Sequence, residues 1–180
     1  MPPTAPELVV LVDDAGAPVG TADKSTVHSA DTPLHLAFSC HLLGPDGRML
    51  VTRRALGKRT FPGVWSNAFC GHPAPGENLA DAVLRRAERE LGVLPRDLRM
   101  VLPEFRYRAA DASGIVENEV CPVYLGTIDG DPRPAADEVD AWSWVEPAAL
   151  RTAVTATPFV FSPWLADQLE AWPGFPEPTP

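Results

Sequence analysis

The sequence has no apolar run of membrane-spanning length, and its N-terminus lacks the basic-then-apolar signature of a secretory signal. A cytoplasmic protein with no membrane partner is the expectation. Cysteine is scarce: three residues, odd in number and widely spaced, do not make a disulfide framework. Positive charge is also short. Lys and Arg total 15 against 24 Asp and Glu, a net charge of -9 that argues against nucleic acid or an anionic membrane as partner. There are only four histidines, and no internal repeat. What remains is the composition of a soluble globular chain, 22% charged and 45% hydrophobic, long enough at 180 residues for one domain with a sizeable core. Proline, by contrast, is abundant at 21 residues and gathers in the first six positions and after Trp172. Residues 1–7 and a Pro-rich tail at 173–180 are therefore expected to be loose, flanking a domain over 8–172.

The densest chemistry lies between Asn67 and Val93. Cys70 and His72 sit two residues apart, and both side-chain types react near neutral pH. A Gly/Pro-rich loop follows, then a helix. Asn78 is its expected N-cap, Asp81 favours the first turn, and Gly92 stops it after Leu91. At about 100° per residue, Leu79, Ala80, Val83, Leu84, Ala87 and Leu91 share one arc. Asp81, Arg85, Glu88 and Arg89 lie opposite. Arg86 and Glu90 fall at the edge of the apolar arc. They are either an i,i+4 ion pair at a surface boundary or a guanidinium and a carboxylate aimed into a cleft.

The flanking segments read as β-structure. Glu7 to Val12 is a strand closed by Asp13, Asp14 and Gly16. Leu34 to Leu43 alternates loosely, Gly44-Pro45-Asp46-Gly47 turns the chain, and Arg48 to Arg53 returns as a hairpin strand. Arg53, Arg54, Lys58 and Arg59 then form a basic loop, either solvated or matched to an anionic substrate. Met100 to Arg108 reads as one strand, with a turn at Asp111 to Gly114 and a returning strand over Ile115 to Ile128. Glu117 and Glu119, two apart, share one strand face. A bound cation relieves their repulsion, and so does an open solvent face. Val139 to Val145 is a further strand, with Trp142 and Trp144 on one face, and Ser162-Pro163 starts a last helix. If His28, His35, His72, Glu117 and Glu119 converge, the set suits a first-row divalent ion such as Zn, Mn or Fe.

Gly71-x5-Glu77-x7-Arg85-Arg86-Ala87-x-Arg89-Glu90-x-Gly92-Val93 resembles the Nudix box, a loop–helix motif that binds divalent metal and diphosphate. Around it, HSADTPLHLAFS (28–39), TRRALGKRTFPGVWSNAFCGHP (52–73), FRYRA (105–109), SGIVENEVCPV (113–123) and TPFVFSPW (157–164) resemble type 1 isopentenyl-diphosphate isomerases. The resemblance runs from about residue 8 to 172. It implies an α/β, Nudix-type mixed β-sheet sandwiched between helices in a single domain. It implies an isomerase of isoprenoid biosynthesis that interconverts isopentenyl and dimethylallyl diphosphate by a 1,3 proton shift. A monomer or weak homodimer acting on a small molecule is expected. Among other readings, a Nudix diphosphate hydrolase and a non-catalytic diphosphate-binding sensor stand next.

The resemblance also implies roles, residue by residue. The transition-metal ligands (Mn or Zn) match His28, His35, His72, Glu117 and Glu119. The catalytic cysteine and glutamate match Cys70 and Glu119, with Tyr107 assisting. Mg bridges the diphosphate, Glu90 and the Cys70 carbonyl. The diphosphate-binding cations match Lys24, Arg54, Lys58 and Arg86, and the aromatic wall matches Trp164. The residue types suit the reaction. An unactivated alkene needs a strong acid held close, a carbocation needs aromatic faces, and a Cys70 thiolate favoured by nearby basic groups and metal suits the opposite side. Two usual glutamate positions of the box are Arg86 and Arg89 here. A diphosphate that anchors rather than reacts follows from that, with Arg89 facing solvent.

Overall fold

The structure, a computed structural model, describes residues 7–176, so of the loose ends expected at 1–7 and 173–180 all but residues 7 and 173–176 lie outside the described residues. The chain opens with a hairpin of β1 (Leu8–Val12) and β2 (Pro18–Asp23), turned by Asp13, whose carboxylate accepts from the amides of Ala15 and Ala17. Asp23 then caps the one-turn helix α1 (Lys24–Val27), which the polar sequence there did not announce. Next come β3 (His35–Leu36), β4 (Phe38–Leu43), β5 (Met49–Arg54), β6 (Trp65–Ser66) and β7 (Phe69–Gly71). Helix α2 (Leu79–Leu91) follows. After it come β8 (Arg96–Leu102), β9 (Arg106–Ala110), β10 (Val116–Val120), β11 (Val123–Thr127), β12 (Val139–Val145), α3 (Pro147–Ala156), a 3-10 turn at Pro158–Val160 and α4 (Pro163–Ala171).

Two sheets result, one ordered β2-β1-β3-β10-β9 and the other β12-β5-β4-β11-β8, with β6 and β7 paired to β5 and β4. Three stretches that read as single strands each divide between the sheets. The 34–43 segment divides at Ala37, whose amide donates to Val120 O. Ile115 to Ile128 divides at Cys121-Pro122, where proline has no N–H for a ladder. The Met100–Arg108 expectation divides at Pro103-Glu104 into β8 and β9. Period-2 patterning continues across such a crossing, so the sequence does not display it. The crossing strands run in parallel pairs, β3 with β10 and β4 with β11.

The second sheet is covered on both faces. Phe38, Cys40, Leu42, Leu50 and Tyr124 face α2 and pack with Val83, Ala87 and Leu91. Met49, Val51 and Leu125 face α3 and α4, packing with Leu150, Val154, Leu165 and Leu169. This is the alternation a strand buried on both sides shows. Phe175 belongs to the second cluster and packs edge-on to Trp172, so the core reaches past the boundary expected at 172. Among the described residues no helix is long and apolar enough to cross a membrane.

Helix α2 begins where expected, with Asn78 accepting from Ala80 N at 2.9 Å, and ends on Gly92 in the left-handed region. A Cβ there would stand 3.1 Å from Arg133 O. Its buried stripe is rotated from the expected arc. Ala82, Arg86 and Glu90 are buried with Val83, Ala87 and Leu91, while Leu79, Ala80 and Leu84 are only half-buried. The helix leans on β7, where a Cβ on Gly71 would meet the Phe38 ring at 2.8 Å and Arg86 Cγ at 3.0 Å. Glycine at 71 therefore lets a charged side chain lie against the sheet.

Candidate active site

Sheet register assembles the centre of the site. Glu119 on β10 lies opposite His35 on β3 and opposite Tyr107 on β9. His72 arrives just after β7, and His28 just after α1. One ligand atom each from His28, His35, His72 and Glu119 lies within 4.8 Å of the others. Glu119 Oε1 is 3.2 Å from His72 Nε2 and 3.5 Å from His35 Nε2. Nε2 of both His28 and His35 is buried without a hydrogen-bond partner. Buried imidazole nitrogens facing one carboxylate are the donor set of a divalent transition ion, so the residues fit such a metal. Burial pushes His28 down to about 4, leaving it a neutral ligand at physiological pH. Burial alone would raise Glu119, but His35 and His72 hold it well below the usual carboxylate range.

Glu117 stands beside this cluster rather than among its four members. It accepts from Thr60 Oγ1, and the Tyr107 phenol lies 2.6 Å from its Oε2 and 2.9 Å from Glu119 Oε2. Burial and the charge of Glu119 raise Glu117. One phenolic proton cannot satisfy two carboxylates, so a bridge through Tyr107 calls for a further proton. The paired carboxylates are buried at 5% and 3% exposure, which excludes the open solvent face.

Cys70 and Trp164 line the same cavity, of about 490 Å³, with the metal cluster, Tyr107 and Glu117. Burial pushes the Cys70 thiol up to about 12, against lowering by Ser39 and Arg54. The expectation that surrounding basic groups favour the thiolate is thus not met by the protein's own cations, because desolvation outweighs them. Trp164 is boxed by Phe61 and Tyr107, at ring-centroid distances of 5.2 and 5.4 Å, with the Arg54 guanidinium 5.4 Å from its ring centre.

Lys24, Arg54, Lys58 and Arg86 all line this cavity, a local excess of cations in an acidic protein. All four have carboxylate partners, Arg54 the most loosely, at 3.8 Å from Glu117 Oε1. Lys24 pairs with Glu7 at 3.0 Å, Lys58 pairs with Glu138, and Arg86 bonds Glu90 through Nε at 2.7 Å and Glu138 at 3.1 Å. The Arg86–Glu90 pair is therefore buried, Arg86 lining this cavity and Glu90 the small cleft beside it with Lys58, Cys70 and Glu138, which sets aside the surface-boundary reading. Arg54 donates to the carbonyls of Thr60 and Phe61, closing the basic loop on itself. Arg85 grips Glu77 with two bonds of 2.7 Å and reaches His72 O at 3.2 Å, pinning the ligand-bearing loop to α2. Arg89 is exposed, as expected. Sequence reasoning missed Glu138, Thr60, Phe61, Asn67 and Ser39. Phe61, Thr60 and Asn67 lie in the 52–73 motif, but Glu138 carries no local signal, sitting in a loop before β12.

Residues 33–165 match the NUDIX domain, which sets the class of this chain. The fold agrees: a protein structure from Deinococcus radiodurans superposes with a TM-score of 0.73 at 18% identity, over 93% of this chain and 99% of that one. The particular family is set by closer relatives. The "Isopentenyl-diphosphate Delta-isomerase" of Leifsonia xyli subsp. xyli is 62% identical over 173 residues, 95% of this chain and 93% of that protein. The one from Kocuria rhizophila is 60% identical over 166 residues, covering 92% of each. The chain belongs to the Nudix-domain family of isopentenyl-diphosphate Delta-isomerases.

Proposed function

We propose that this enzyme interconverts isopentenyl diphosphate and dimethylallyl diphosphate, with the diphosphate held by Lys24, Arg54, Lys58 and Arg86 and the proton moved by Glu119 and Cys70. The observation that carries this reading is the cavity itself. A carboxylate, a thiol, aromatic rings and cations line one space. The diphosphate is an anchor, and its binding energy places the hydrocarbon end against Glu119, Tyr107 and Cys70.

His28, His35, His72 and Glu119 would hold a divalent ion, Mn or Zn, with Glu117 beside them; Glu90 and the Cys70 carbonyl would serve Mg with the substrate. A metal so held supplies positive charge that acidifies the carboxyl and neutralises the diphosphate. The remaining work falls to side chains. Tyr107 bridges the two carboxylates, so a proton held on Glu117, the one raised by burial and by the charge of Glu119, can pass through the phenol to Glu119, from which the terminal methylene is protonated. Trp164, walled by Phe61 and Tyr107, offers a π-face to the tertiary cation and keeps water out. Cys70, lining the same cavity, would take an allylic proton as its thiolate, after giving up its thiol proton to solvent; the thiol form is the acid of the reverse direction. The reverse direction uses the same pair with roles exchanged.

Incubation with isopentenyl diphosphate in deuterated water, followed by NMR of the product, tests this. Deuterium in dimethylallyl diphosphate without appreciable phosphate or pyrophosphate release is the expected result. Steady phosphate release without deuterium would promote the hydrolase reading.

A further inference from the structure

Cys70 and Trp164 come from β7 and α4, yet both are tied to one buried amide. Asn67 is 1% exposed, and its Nδ2 donates to Cys40 O at 2.9 Å and Phe69 O at 2.7 Å. These two carbonyls decide which end of the amide is which, since a flipped group would set its oxygen against both. Oδ1 therefore faces the other way. It accepts from Trp164 Nε1 at 3.0 Å and from Ser66 Oγ at 2.8 Å, and lies 3.4 Å from Cys70 Sγ. Ser66 Oγ in turn meets the hydroxyl of Ser162, the residue from which α4 and its Trp164 begin.

A second oxygen, Ser39 Oγ, stands 3.2 Å from Cys70 Sγ. Its polarity follows from a chain that runs back to α4. His41 Nε2 and Gln168 Oε1 are 2.9 Å apart, and Gln168 Nε2 is 2.9 Å from Ser39 Oγ. His41 Nδ1 is buried without a partner. A bare ring nitrogen there costs less than an orphaned N–H, so the proton sits on Nε2 and donates to Gln168. Gln168 then donates to Ser39, and the Ser39 hydroxyl proton is left for a sulfur. The nearer is Cys70, with Cys121 at 3.4 Å. Ser39 and Gln168 are fully buried, so no water competes for these bonds.

We propose that Asn67 and Ser39 are positioning residues for the isomerisation, Asn67 fixing the Trp164 ring and the Cys70 sulfur together and Ser39 fixing the sulfur from its other side. This rests on the assignment of Cys70 and Trp164 to the reaction. A thiol is a weak donor on a freely turning bond and cannot hold its own direction. Two oxygens of opposite polarity, a fixed acceptor and a fixed donor, hold it at a set distance from the aromatic wall, where the reacting carbons need both groups at once.

The test compares Asn67→Ala and Ser39→Ala with wild type. The readouts are kcat and KM for isomerisation, inhibition by inorganic pyrophosphate as a probe of the anion site, the Trp164 indole N–H resonance (identified by its loss in Trp164→Phe), and the melting temperature. Asn67→Ala should lose roughly tenfold or more in kcat, keep pyrophosphate inhibition within about twofold, and shift the Trp164 resonance. Ser39→Ala should lose kcat similarly with that resonance unmoved, because Ser39 does not touch the indole. Retention of wild-type kcat in either variant overturns the proposal. So does a parallel fall of kcat, pyrophosphate affinity and melting temperature, which is general damage. If Asn67→Ala does not fold, Ser39→Ala decides by the same measures. A wild type that incorporates no deuterium removes the underlying assignment instead, and is distinguished by being read before any variant.

Discussion

At the scale of single residues, Glu119 is the most constrained side chain of the site. Strand register sets His35 on one side of it and Tyr107 on the other, and β7 delivers His72 to its first oxygen. A ligand set this interdependent should fail together. His72→Ala is expected to remove most of the roughly one equivalent of divalent metal that purified protein should carry. Unchanged metal content in that variant would take His72 out of the site. Cys70→Ala should lower turnover by about 10²–10⁴-fold, the usual worth of one acid–base partner, while pyrophosphate still binds. A variant turning over near the wild-type rate would end the role given to Cys70. Lys58→Ala tests the anion end. Losing one charge-assisted bond to the diphosphate should raise the apparent KM by about tenfold or more and leave kcat nearer wild type. An unaltered KM would return Lys58 to a partner of Glu138 alone.

At the scale of elements, α2 is where reading and structure differ most usefully. Its limits were legible, because an Asn cap and a left-handed Gly stop are local chemistry. Its buried face was not. Hydrophobic spacing counts Leu79, Ala80 and Leu84 in the stripe with Val83, Ala87 and Leu91, whereas the structure turns the helix so that Arg86 and Glu90 are buried at 4% each. Burying a matched, hydrogen-bonded pair is tolerable, and the cavity beyond it gives the charges a use. Substitutions along one helix should therefore separate by face. Glu90→Gln is expected to weaken Mg-dependent substrate binding. Arg86→Ala should weaken binding of the diphosphate and destabilise the fold by about 3 kcal/mol, because it leaves Glu90 buried without its partner. Arg89→Ala, on the exposed side, should alter KM, kcat and melting temperature little. Substrate titrations of the three variants at fixed Mg decide this. A strong kinetic defect in Arg89→Ala would mean that the face is misassigned.

At the scale of the whole molecule, a buried polar line joins β4 to α4 through His41 and Gln168, and it ties stability to pH. Burial holds His41 down to about 4, from an ordinary value of 6.5, although Gln168 opposes the shift. Above about pH 6.5 the ring is neutral in both folded and unfolded chains and adds no pH dependence. Between 6.5 and 4 the unfolded chain takes up a proton that the folded one refuses, so stability falls as pH drops; below 4 the loss levels off at on the order of 3 kcal/mol. Denaturant midpoints at pH 7, 5.5 and 4.5 should show a shallower slope for His41→Gln than for wild type, and equal slopes would sink the argument. The same line shows what the chain alone could not announce. The sequence by itself determined the cap and stop of α2, the hairpin turns at Asp13 and Gly44-Pro45-Asp46-Gly47, the family, and the short roll of histidines, carboxylates, cysteine and cations from which a site is built. These depend on side-chain chemistry within a few residues or on motifs that stand in order. Only the tertiary structure decided that segments 34–43 and 115–128 each change sheets partway, that this crossing sets Glu119 against His35 and Ser39 against Cys70, and that Glu138, Asn67 and Gln168 close the network around them. Pairing between strands some eighty residues apart leaves no trace in local periodicity, because alternation has the same period whichever sheet a strand joins.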